Sequence, residues 1–80
     1  MLEKGSIVRS LAGRDKDGLL AVMEITDDAV RVCDGKERPL ENPKRKNPRH
    51  LADTELRLPP QAAVSNKALR KALAGVAQRV

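Results

Sequence analysis

Eighty residues with a formal net charge of +5 leave room for one domain with a small core and point to an anionic partner. The chain has no Phe, Tyr or Trp and a single cysteine. This excludes base stacking on aromatic rings, an internal disulfide and a cysteine-built metal site.

The first half reads as short strands separated by turns. Ser6–Ser10 is a first strand, entered through Gly5, and Ala12–Gly18 is a polar loop with a glycine near each end. Leu19–Ile25 is a short apolar run, as in a strand buried on at least one face. Asp27-Asp28 makes the next turn. In Ala29–Cys33, Val30 and Val32 share one face, with Arg31 opposed. Asp34-Gly35 is a hairpin-type turn signal, and Glu37–Leu40 reads as a fourth strand that Pro39 would confine to an edge. Strands of this length and spacing predict a mainly β fold, a small barrel or sandwich.

The texture changes at Asn42-Pro43. Prolines at 43 and 48 bracket Lys44-Arg45-Lys46-Asn47, and they disfavour helix there. The segment 42–50 therefore reads as an extended basic arm lying on the barrel, followed by a short strand at His50-Leu51. Residues 53–64, with Pro59-Pro60, read as a linker. The last element is a helix over 65–80, with Ser65 or Asn66 as N-cap and Leu69, Leu73, Val76 and Val80 on one face. That stripe suits packing on the chain's own barrel, or docking on a protein partner.

Charge is unevenly distributed. Residues 1–35 carry a net of −2, residues 36–50 a net of +4 and residues 51–80 a net of +3. A charge run alone describes a solvated face as well as a binding site. Here the flanking prolines limit the entropy lost on binding, and the run stands against an acidic first half. Glycines flanking Arg14 and Lys16 let backbone N–H groups approach a phosphate, although the spacing is not that of a nucleotide-binding P-loop. The aspartates at 15 and 17 lack the glutamate that completes a calcium loop, and turn chemistry accounts for them. A Cys33–His50 nucleophilic pair is formally available, but core filling is the simpler role for Cys33. The sequence thus predicts neither catalysis, nor metal, nor cofactor.

Taken in order, Lys4-Gly5-Ser6-Ile7-Val8-Arg9-Ser10, Ala12-Gly13-Arg14-Asp15-Lys16, Asp34-Gly35, Glu41-Asn42-Pro43-Lys44-Arg45-Lys46 and His50-Leu51 resemble a family of short bacterial KOW-domain RNA-binding proteins. That family is similar to a KOW-type large-subunit ribosomal protein of archaea and eukaryotes. The resemblance covers about residues 4–51 and, more loosely, the helix over 67–73. It implies an SH3-like barrel of about five strands over residues 1–52, followed by a C-terminal α-helix. It also implies rRNA or another structured RNA as partner, in the company of ribosomal or other transcription and translation proteins. Carried over residue by residue, the RNA contacts would be Arg14, Lys16, Lys44, Arg45, Lys46 and Arg49. Two departures stand out. Asp17 intervenes before Gly18 where the family reads Asp-Lys-Gly, and the family's strand aromatics are missing. The lone thiol, the absence of a signal-peptide pattern after Met1 and the lack of a membrane-spanning run place the expected location in the cytoplasm. The oligomeric state is left open.

Overall fold

A computed structural model of the protein describes residues 2–14 and 16–78. Asp15, Arg79 and Val80, which the sequence reading includes in the loop and the helix, lie outside the described residues. The chain forms β1 (Ser6–Ser10), β2 (Leu19–Ile25), β3 (Val30–Cys33), β4 (Lys44–Lys46) and β5 (Leu51–Arg57), followed by helix α1 (Asn66–Ala77). Short 3-10 turns at Pro48–His50 and Pro60–Ala63 join β4 to β5 and β5 to α1. All pairings are antiparallel, in the order β4-β3-β2-β1-β5. The mainly β class with a C-terminal helix is therefore as the sequence predicts.

The barrel expectation needs refinement. Among the described residues no ladder joins β4 to β5, so the sheet is open. It is nevertheless curled. Leu51 of β5 shares a core cluster with Val30 and Val32 of β3, although three strand boundaries separate them in the sheet. The inside of the curl is filled by Val8, Leu20, Val22, Val30, Val32 and Leu51. The outer face of the same strands carries Ile7, Ala21 and Cys33, which pack with Leu58, Ala62, Leu69 and Leu73 beneath the helix. Strand alternation sends neighbouring residues to opposite faces. With both faces covered, Leu19–Met23 has to be apolar throughout, as its sequence is.

Three elements differ from the sequence reading. Glu37–Leu40 is not a strand. Asp34 organises this stretch as a turn by accepting from the backbone N–H groups of Lys36 (2.8 Å) and Arg38 (3.0 Å). The fourth strand is instead Lys44–Lys46, paired with β3 as Val30↔Lys46, Arg31↔Arg45 and Val32↔Lys44. The basic arm is extended as expected, but it is an edge strand of the sheet. The segment read as a linker from residue 53 is mostly structured, since β5 runs to Arg57 and Leu58 and Ala62 are buried. Its polar sequence hides the strand because it contains a bulge. Between Ser6↔Arg57 and Val8↔Asp53, three residues of β5 face Ile7 alone. Thr54 Oγ1 donates to the Ile7 carbonyl at 2.7 Å and accepts from the Leu56 N–H. Asp53 Oδ1 accepts from the N–H of Glu55, which has φ +68°.

The helix is fixed at both its start and its middle. Ser65 is the N-cap, with its hydroxyl accepting from Ala68 N–H at 3.1 Å. Asn66 accepts from Leu40 N–H at 2.7 Å and donates to Glu41 at 2.7 Å. Gly35 passes directly under this turn with φ +80°, where an added Cβ would stand 2.5 Å from the Asn66 carbonyl oxygen. Only glycine fits there, on both conformational and steric grounds. Leu69 and Leu73 are buried against the sheet, and Ala72 and Val76 flank them.

Candidate nucleic-acid interface

The six cations singled out by the sequence do not form one uninterrupted patch. Alternation along β4 divides them first. Lys44 and Lys46 stand opposite Val32 and Val30 and share the inner face of the curl, whereas Arg45 stands on the outer face opposite Arg31. Arg45 donates to Asp28 at 2.8 Å, and Arg31 pairs with Glu24 at 3.4 Å. The outer face of β2, β3 and β4 thus carries a row of compensated charge. These pairs are well exposed and contribute little to stability.

Lys46 has a different part. It is 7% exposed, and its ammonium donates to Ser10 Oγ and to the Ala12 carbonyl, both at 2.9 Å. Ser10 Oγ in turn donates to the same carbonyl at 3.0 Å. A buried ammonium needs such acceptors. Here they lie at the far end of β1, so Lys46 draws the loop after β1 against β4. A second bond, from Leu11 N–H to the His50 carbonyl at 2.8 Å, ties the same loop to the 3-10 turn. That turn is shaped by Asn47, whose side chain accepts from Arg49 N–H at 2.9 Å, with Pro48 fixing its first φ.

These two links bring together what is far apart in sequence. Arg14 and Lys16 are exposed on the loop, Arg49 is exposed on the turn, and half-buried Lys44 lies two residues before Lys46 on the same face of β4. The loop itself is closed by Asp17 N–H donating to Ser10 O at 2.8 Å and by Ser10 N–H donating to Gly18 O at 2.9 Å. Asp17 holds the left-handed conformation, φ +70°, and its carbonyl accepts from Arg9 at 3.1 Å. The part played by Lys46 was not legible from its place in a basic run. Its neighbours in the sequence signal solvent, and only the register with Val30 turns it inward.

Cys33 is fully buried under the helix. Its thiol is pushed up to about 11 by burial, with the Asp34 and Glu41 charges adding to the effect. His50 stands exposed on the 3-10 turn. A thiol so placed has the character of a core filler, without the thiolate that nucleophilic chemistry needs. No group of three or more His, Cys, Asp or Glu side chains among the described residues is placed to hold a metal ion. No helix among the described residues is long and apolar enough to cross a membrane.

Neither a scan against protein-family models nor a search of curated proteins returns a match to this chain.

Proposed function

We propose that the protein is a non-catalytic RNA-binding module that holds a structured RNA by its phosphates at the basic end of the sheet. The observation carrying this reading is the convergence of the loop bearing Arg14 and Lys16 with the turn bearing Arg49, beside β4 and its Lys44, through the bonds of Lys46 and Leu11. Phosphate contacts of this kind position a protein on RNA without reading its sequence, and the chain has no aromatic residue for stacking. The KOW resemblance makes rRNA the expected partner, and a ribosome- or translation-associated role in the cytoplasm belongs to the same reading. Asp17, a departure from the family's Asp-Lys-Gly, is accommodated in the left-handed conformation, φ +70°, that glycine adopts most readily.

A salt titration tests the proposal. Arg14, Lys16 and Arg49, with Lys44 as a further cation of this end, would neutralise about three or four phosphates. The logarithm of affinity for an RNA hairpin should then fall by roughly 2–4 for each tenfold rise in salt. The double replacement of Arg14 and Lys16 by Ala should lower that slope by about 1–2. A flat salt response would remove the electrostatic model. The alternative, a protein adaptor using the barrel surface and the C-terminal helix, would have to dock through the sheet surface or the helix's outer face, because Leu69 and Leu73 are buried on the protein's own sheet.

A further inference from the structure

Next to the basic end lies a groove of about 440 Å³ between the β1–β2 loop and helix α1. Its size falls in the range of small-ligand sites, about 300–1,000 Å³. Arg9, Lys36 and Arg70 line it, as do the apolar side chains of Leu19, Leu73, Ala74 and Ala77. The three cations are separated by tens of residues in the sequence and form no recognisable motif. They meet because Arg9 lies on the side of β1 that, with Ile7, faces the helix, and the loop after β3, bearing Lys36, also approaches it.

Two of these cations are held in advance. Arg70 Nη1 donates to the Gly35 carbonyl at 2.7 Å, and Arg9 Nη1 donates to the Asp17 carbonyl at 3.1 Å. Neither bond uses the whole guanidinium, which offers five N–H donors. The Lys36 ammonium has no partner among the described residues. Groups fixed before binding lose little entropy on binding. The groove also contains two carboxylates. Asp34 is engaged by the backbone N–H groups of its own turn, and Asp17 lies at the loop edge. A bare anion would meet three cations and two carboxylates and gain little. An apolar ligand would leave the cations idle. A nucleotide suits all three features, with its phosphate for the cations, its flat base for the alanine and leucine surface, and base N–H donors for a carboxylate.

We infer that this groove receives a single unpaired nucleotide of the RNA that the basic end grips. Asp17 and Gly18 belong to both places, since they close the loop bearing Arg14 and Lys16 and line the groove. The RNA thus passes from one to the other without leaving the surface. The inference rests on the RNA-binding reading above and sharpens it, by specifying a helix interrupted by an unpaired residue.

The test uses two RNA hairpins with the same stem, one fully paired and one with a single-nucleotide bulge. Each is titrated with the full chain by fluorescence anisotropy. The bulged hairpin should bind about tenfold more tightly, the gain of one or two charge-assisted hydrogen bonds. Lys36→Ala and Ala74→Glu, both at exposed positions that the fold tolerates, should abolish that preference and leave affinity for the paired hairpin unchanged. Arg14→Ala should weaken both hairpins alike. Equal, salt-dependent affinity of the unaltered chain for the two hairpins would overturn the groove inference alone. So would a Lys36→Ala or Ala74→Glu variant that weakens both equally. Failure to bind either hairpin would overturn the RNA-binding reading and this inference with it.

Discussion

Single residues in this chain behave according to backbone and burial more than to their chemical labels. Asp17 is the clearest case. It is a carboxylate in a loop that also carries Arg14 and Lys16, yet its structural task is to adopt a φ of +70° before Gly18. Left-handed geometry costs a residue with a Cβ about 1 kcal/mol, and glycine avoids most of that. Asp17→Gly should therefore stabilise the fold by roughly 0.5–1 kcal/mol, read as a higher denaturation midpoint at unchanged slope. Cys33 makes the converse point. Its thiol titrates near 11 in the folded protein against 9.0 when unfolded, so the folded state holds the proton more tightly. The resulting stability is complete below pH 9 and is lost as pH rises from 9 to about 11, a fall of roughly 2–3 kcal/mol. Urea unfolding at pH 8, 9.5 and 11 would show it, and Cys33→Ala should flatten the upper part of that profile. Val30, Val32 and Arg31 were legible as alternating residues because their strand has one polar and one apolar side. Lys46 was not, because an inward lysine has the same sequence signature as an outward one.

At the scale of elements, the sequence is most readable where one face is apolar and least readable where backbone is held by polar side chains. β1, β2, β3 and the helix all follow from hydrophobic pattern and capping. The stretch Asp53-Thr54-Glu55 does not, since its strand geometry depends on Asp53 and Thr54 bonding to the backbone around a bulge. Glu37–Leu40 misleads for a related reason: Asp34 captures the backbone N–H groups of Lys36 and Arg38 in a turn. The sequence leaves the helix stripe to pack on the chain's own barrel or on a partner, and the structure seats it on the sheet as one side of the core. Truncation after Val64 would leave Ile7, Ala21 and Cys33 uncovered on the outer face of the sheet. Such a chain should show no cooperative thermal transition by circular dichroism. A sharp two-state melt would mean that the curled sheet stands alone. Leu69→Ala is the milder version, and a loss of about 2–5 kcal/mol is expected for a fully buried leucine.

At the scale of the whole molecule, curling brings the two ends of the sheet together. A flat sheet in the same strand order would leave β4 and the end of β1 two strands apart, and Lys46 could not reach Ser10 and Ala12. The curl joins them, and the helix closes the groove beside them. Neither arrangement is written in local sequence, because each depends on contacts between residues tens of positions apart. The charge run reads from the sequence as one basic arm, and the structure divides it, with Arg45 turned to the other face and Lys46 turned inward.

The inward lysine has a final consequence. β4 is three residues long and wholly basic, so it has no apolar side to tell it which way to lie. A slip of one position along β3 would exchange the faces of all its side chains. The buried ammonium, matched to Ser10 and Ala12, is the feature that distinguishes the native alignment from the slipped one. Lys46 thus acts as a keyed pin for the alignment of the edge strand. Lys46→Ala should yield doubled amide resonances for Val30–Val32 in a heteronuclear NMR spectrum, as two alignments of β4 exchange slowly. A single set at the native positions would show that the strand finds its place without the pin.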